Sequence, residues 1–199
     1  MHPNSLGTVC LIRWKRLRSS PNHPADPTPS VRTMPVAAAG ALWSLAANSP
    51  ANQASVRDAG GICRLILLLE KSVPAWPEAA RHAAGALRNL AADNPENKEL
   101  IRRQGGILPL VRMLHAGASS LAAQQAAGAL ANLASNTTAE QDAIREASGI
   151  PPLIKLLMAG DGSAAAQHAA GALWNLGMLS AKTVWPSSGF SPLFPVRRG

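Results

Sequence analysis

The chain has 199 residues, 47% of them hydrophobic but only 4% aromatic and none of them tyrosine, so one sizeable core is available and it has to be made of small side chains in close contact. Its formal charge of +8 sits at the ends: residues 1–33 hold Arg13, Lys15, Arg16, Arg18 and Arg32 against Asp26, residues 180–199 hold Lys182, Arg197 and Arg198 without an acid, and the stretch between is nearly neutral. That distribution argues against a folded surface built to neutralise nucleic-acid phosphates, and the alanine-rich, charge-poor composition points to packed helices.

Residues 1–34 read as a basic, proline- and serine-rich disordered segment. The short apolar run 6–12 ends against the basic stretch 13–18 and is not the core of a secretory signal. A nuclear signal at 13–18, an organellar transit peptide, or a decayed second helix at 7–12 stay open for this segment. The runs 36–47 and 62–69 fall short of the roughly 20 apolar residues that span a bilayer. Cys10 and Cys63 belong to no paired-ligand spacing, so neither a disulfide framework nor a metal site is expected.

From residue 35 onward the chain repeats itself. Ala-Gly-Ala-Leu occurs four times, with Gly40, Gly85, Gly128 and Gly171 spaced by 45, 43 and 43 residues. Gly61-Ile62, Gly106-Ile107 and Gly149-Ile150 keep the same step. The array therefore covers 35–179, with a partial unit at 35–47 and complete units at 51–92, 95–135 and 138–179, and 180–199 reads as a disordered basic tail.

Each unit parses into three helices. The first runs about 95–103 in the clearest copy, with Asp93 or Asn94 as N-cap, Pro95 at the first helical position and Gly105-Gly106 as breaker. The second runs about 107–115, where Ile107, Leu110, Val111 and Leu114 and their counterparts make one apolar stripe, and Gly117 or Gly160 ends it. The third runs about 78–92; a wheel at 100° per residue puts Ala80, Ala83, Ala84, Leu87, Leu90 and Ala91 on one side and Arg81, His82, Gly85, Arg88, Asn89 and Ala92 on the other. No single unit can bury its stripe alone, so the units must stack, and equivalent positions of the third helices form ladders along one surface. The two ends of the stack lack polar caps, so self-association through them is open, as is a longer array.

The phrase AAGALRNLAADNPENKELIRRQGGILPLVRML at 83–114, with its three-helix unit and Gly-Gly-Ile hinge, closely resembles the armadillo repeat, in forms like those of β-catenin and of plant, algal and fungal armadillo proteins. The resemblance implies an all-α, right-handed α-solenoid of three complete repeats plus one partial N-terminal repeat. It also implies a concave groove, lined by the third helices, that binds extended segments of other proteins. Carried over position by position, the groove asparagines are Asn89, Asn132 and Asn175, with Ser44 in the partial copy. A carboxamide donates and accepts, so it can pair with both N–H and C=O of an extended backbone; satisfying nearby helix ends or water is the competing role. Importin-α repeats carry tryptophan where this chain has Gly85, Gly128 and Gly171, so their lysine slots are missing.

The ladders Val36/Arg81/Gln124/Gln167, Ala37/His82/Gln125/His168 and Trp43/Arg88/Ala131/Trp174 hold bases and no acid, Glu78 being the nearest exception. The expected ligand is therefore neutral to mildly acidic. Trp43 and Trp174 read equally as groove anchors or as end caps. The four in-phase glycines mark close approach either of a neighbouring helix or of a ligand.

No phosphate loop, nucleophile elbow, paired carboxylates or zinc motif is present, and His82 and His168, two repeats and roughly 20 Å apart by helix packing distances, cannot share a metal. The expectation is a non-catalytic protein-interaction scaffold with no cofactor, metal or small-molecule substrate, and cytoplasmic or nuclear in place. The alternatives are a nucleic-acid-associated protein working through its basic tails, an importin-like transport adaptor, and the armadillo part of a ubiquitin-ligase-type protein.

Overall fold

A computed structural model describes residues 29–72, 77–135, 138–158 and 163–184, with side chains described for 36–70, 77–135, 138–158 and 163–177. Among them lie ten helices and no strand: α1 Pro29–Leu45, α2 Pro50–Asp58, α3 Gly61–Ser72, α4 Pro77–Ala91, α5 Pro95–Arg103, α6 Ile107–Leu114, α7 Leu121–Ala134, α8 Thr138–Glu146, α9 Ile150–Met158 and α10 Ala164–Val184. Helices α2–α4, α5–α7 and α8–α10 are the three complete units, and α1 is the unaccompanied third helix.

Local chemistry sets the boundaries. Ser49 Oγ and Asn94 Oδ1 accept from the N–H three residues on, at 3.3 and 3.1 Å, and Pro50 and Pro95 follow where a missing N–H does no harm. Asn94, rather than Asp93, is thus the cap; Asp93 takes the left-handed turn before it, at φ 49°. The first-to-second hinge needs both of its glycines for different reasons. Gly60 and Gly105 adopt φ of 74° and 76°, while a Cβ on Gly106 would fall 2.8 Å from Ile101 Cγ2 and 2.9 Å from Ile66 Cδ1 of the preceding unit. In the last unit Ser148 takes the left-handed position, at φ 57°.

The apolar stripe of the second helices is buried as the 3,4 spacing requires: Ile62, Leu65, Ile66 and Leu69, then Ile107, Leu110, Val111 and Leu114, line one core with the alanines and leucines of the third helices. Successive third helices make the most extensive contacts among the described helices.

Two termini differ from expectation. Helix α1 begins at Pro29 and α10 runs to Val184, so 29–34 and 180–184, read from sequence as disordered, have helical backbone. Pro29 sits at the first position, where proline is tolerated, and 178–184 contain neither glycine nor proline nor the Asp-Asn turn that follows α4. The remainder of both expected disordered segments, including 7–12 and 13–18, lies outside the described residues. The expectation of no disulfide also fails: Cys63 is disulfide-bonded, and the chain's other cysteine, Cys10, lies outside the described residues.

The first helices carry a buried polar row that ties the units together. Gln53 Nε2 donates to Ala46 O and Asn89 O at 3.4 and 2.9 Å, and Gln141 Nε2 to Ala134 O and Asn175 O at 2.7 and 3.1 Å. The middle unit has Lys98 at that place, 3% exposed. Its Nζ donates to Ser135 O and Oγ at 3.0 and 2.6 Å, and Ser135 Oγ donates in turn to Asn132 O at 2.7 Å, so a hydroxyl relays what the glutamines do directly.

Burial pushes the Lys98 ammonium below its usual 10.5, against the opposing pull of Asp93 and Glu140. Folding therefore disfavours the ammonium relative to the unfolded chain. Between the folded value and 10.5 the unfolded chain binds the extra proton, so stability rises as pH climbs through that window. Lys98→Gln, which installs the residue used at 53 and 141, is expected to gain about 1 kcal/mol at pH 7 and to abolish that alkaline rise. Guanidinium unfolding of both proteins at pH 7 and 9.5 checks it; an equal response to pH in the two would refute the assignment.

Candidate functional site

The third helices α1, α4, α7 and α10 lie side by side, and their last turns show why asparagine recurs. At each helix end the N–H of Ala47, Ala92 or Ser135 bonds back three residues instead of four, to Ser44 O, Asn89 O or Asn132 O. That tightening leaves the carbonyls of Trp43, Arg88 and Ala131 without a backbone donor. The asparagine of the next unit supplies it: Asn89 Nδ2 donates to Trp43 O at 3.0 Å, Asn132 Nδ2 to Arg88 O at 2.8 Å, and Asn175 Nδ2 to Ala131 O at 2.9 Å. Each asparagine is half-buried and keeps its Oδ1 and second N–H without a partner among the described residues.

A second row of brackets sits two turns earlier. His82 Nδ1 donates to Val36 O at 3.1 Å and His168 Nδ1 to Gln124 O at 3.2 Å. Burial, helped by the Arg88 guanidinium, holds His168 below the usual histidine value, and the bond to Gln124 opposes this. Both imidazoles thereby bracket a neighbouring helix through Nδ1.

The glycine ladder is a packing device. A Cβ on Gly85 would lie 2.6 Å from Trp43 Cε2, and one on Gly128 would lie 2.9 Å from Arg88 Cδ. One on Gly40 would lie 3.2 Å from His82 Nδ1, whereas at Gly171 only Ala131 Cβ approaches, at 3.9 Å. The side chain three residues after one glycine thus reaches over the glycine of the following unit. The wheel had put Gly85 on the open side of its helix; Trp43 buries it.

The surface left open begins at α1 with a cluster: Arg81 stands 5.9 Å from the centre of the Trp43 ring, His82 packs tilted on the same indole with centroids 5.7 Å apart, and Arg81 Nη2 donates to His82 Nε2 at 2.9 Å. Farther along, Arg88 Nη1 reaches Gln125 Oε1 at 3.4 Å, and Gln125 is buried, which takes it off the accessible face. Gln124 and His168 are half-buried; Ser44, Gln167 and Trp174 are exposed, Trp174 to 68%. A cavity of about 350 Å³ opens beside Asn89, lined also by Asn48, Pro50, Gln53, Ala92, Asp93 and Asn94. Asp93 brings a carboxylate to this rim, outside the wheel positions from which the ladders were drawn.

Charge is segregated by helix type. Every described ion pair, Arg57 with Asp58 and Glu96, Glu99 with Arg102 and Arg103, Arg102 with Glu140, and Arg145 with Asp142, lies on a first helix. Arg81 and Arg88 on the third-helix face have no carboxylate partner among the described residues. No described group of histidine, cysteine, aspartate or glutamate is arranged to hold a metal ion, and no described helix is long and apolar enough to cross a membrane.

A stack of three-helix units joined by repeated side-chain brackets is an α-solenoid. Residues 94–135 and 138–178 match the family model of the Armadillo/beta-catenin-like repeat. Solved structures alike in fold include an engineered protein with 33% identity and a TM-score of 0.67, aligned over 77% of this chain and 59% of that one. A designed armadillo repeat protein has 28% identity, a TM-score of 0.66 and coverage of 76% and 60%; another, in complex with the peptide (KR)4, has 26% identity, a TM-score of 0.65 and coverage of 76% and 60%. The chain spans about three-fifths of the length of these structures. No match was found among curated proteins. The two matched segments, 94–135 and 138–178, are armadillo repeats.

Proposed function

We propose that the protein is a non-catalytic interaction scaffold whose third-helix face takes extended, neutral to mildly acidic segments of other proteins. The observation that carries this reading is the segregation of charge: Arg81 and Arg88 stand without carboxylates on the face where Asn89 and Asn132 each keep an acceptor oxygen and an N–H unused. An extended peptide backbone needs one donor and one acceptor every second residue, and a row of carboxamides supplies both without regard to side-chain sequence. The two guanidiniums then select by charge. The designed relative that holds (KR)4 takes a basic peptide; this face, with bases and no paired acid, is expected to prefer the opposite sign.

The test uses two labelled octapeptides, (KR)4 and an alternating glutamate-serine sequence, titrated by fluorescence anisotropy at physiological and at low salt. The acidic peptide is expected to bind at least tenfold tighter and to weaken as salt rises. Arg81→Glu with Arg88→Glu is expected to invert the order. Equal binding of the two peptides to the unmodified chain, or an order that survives charge reversal, would overturn the reading. Binding of a nucleic acid by residues 29–184 at physiological salt would favour the phosphate-binding alternative instead.

A further inference from the structure

The two ends of the array expose the two halves of the interface that joins its units. On the trailing face, Trp174 is 68% exposed where its counterparts Trp43, Arg88 and Ala131 are half-buried, and Ala170 is open where its counterparts Ala84 and Ala127 are fully buried. Helix α9 extends this face: Ile154 and Leu157 are 43% and 41% exposed where Val111 and Leu114 are 3% and 2%. On the leading face, Leu45 is 51% exposed and Ala38 and Ala41 are open, whereas their counterparts Leu90, Ala83 and Ala86 are at 0%. What covers the trailing face inside the array is the leading face of the next third helix, as Trp43 lies over Gly85 and Arg88 over Gly128.

We infer that the trailing face of α10 is a docking site for the leading face of α1 in a second copy of this chain, with Trp174 lying over Gly40 as Trp43 lies over Gly85. The occupant follows from continuity: the two faces are complementary because they are the same interface, used between α1 and α4, α4 and α7, and α7 and α10. The contact is heterologous, so it leaves one of each face free and adds copies in one direction. It is weaker than the internal joints, since α1 carries Ala37 and Ser44 where α4 carries His82 and Asn89, and the two brackets to carbonyls of the preceding helix are lost. Association is therefore reversible and depends on concentration.

Sedimentation velocity of the full chain tests it between about 10 and 500 µM, a range suited to a contact of this kind. The weight-average mass is expected to rise with concentration beyond a dimer. Trp174→Glu and Leu45→Glu, both at exposed positions, are each expected to remain monomeric with unchanged helicity. Mixed one to one they are expected to form a heterodimer and nothing larger, because the first retains an intact leading face and the second an intact trailing face. Ala41→Arg in place of Leu45→Glu repeats the test should that variant lose helicity. A chain that stays monomeric throughout, as it would if residues 185–199 covered the trailing face, overturns the inference, as does a mixture of the two variants that does not pair.

Discussion

Replacing Asn89, Asn132 and Asn175 together by alanine lowers the stability of the array by about 3 kcal/mol, roughly 1 for each amide removed. Each substitution strands a carbonyl, on Trp43, Arg88 or Ala131, that has lost its backbone donor to the tightened last turn of its helix. The three sites belong to separate joints, so their effects add. Against the roughly 5–15 kcal/mol that holds a domain of ordinary stability, three such losses are large. Urea unfolding of the single and triple variants measures them, and a triple variant within about 0.5 kcal/mol of the parent would show that water replaces the amide without penalty.

This has a bearing on the peptide face. A triple alanine variant that no longer captured a partner would have loosened the joints as well as emptied the ladder, so loss of binding alone would not assign the asparagines to the ligand. Charge reversal at Arg81 and Arg88 avoids the difficulty. Neither side chain bonds a backbone carbonyl of a neighbouring helix, so the carbonyl brackets remain; Arg88 does pack over Gly128 and bond Gln125, and urea unfolding of the variant is the control for that contact. One carboxamide proton serves the fold in each asparagine and the rest of the group is left over, which is how a single residue can hold the stack and still present hydrogen bonds outward.

The repeat made most of this fold legible. Three complete copies of one pattern are three readings of the same unit, so the hinge, the stripe of the second helix and the bounds of α5 could be read from spacing and capping alone. What spacing could not show is anything that depends on the neighbouring unit. A wheel drawn for α4 places Gly85 outward because the wheel knows nothing of Trp43, which reaches it from α1. Gln125 looked accessible for the same reason and is buried under Arg88. The asparagines stood out by their recurrence at one position, but their bond to an orphan carbonyl arises only where two helix ends meet. Lys98 gave no signal at all, since a lysine on a short polar helix reads as solvated; its counterparts Gln53 and Gln141 would have marked the place as buried had the first helices been aligned.

Gly85→Ala and Gly171→Ala, the same change at the same position two units apart, are expected to act with opposite sign. Alanine is better than glycine in a helix by up to about 1 kcal/mol, and at Gly171 nothing but Ala131 Cβ at 3.9 Å stands in the way, so that variant gains stability. At Gly85 the new methyl would fall 2.6 Å from the Trp43 indole. The ring is held by His82 and Arg81 and cannot swing aside without giving up both contacts, so the variant loses about 1–3 kcal/mol to strain. In a Trp43→Ala background the obstruction is gone and Gly85→Ala should become neutral or favourable, recovering the propensity gain seen at 171. A double-mutant cycle over residues 43 and 85, read by thermal or urea unfolding, isolates that coupling. If Gly85→Ala were as favourable with the indole as without it, Trp43 would not lie over the glycine, and the geometry from which the docking of Trp174 on Gly40 is drawn would fail with it.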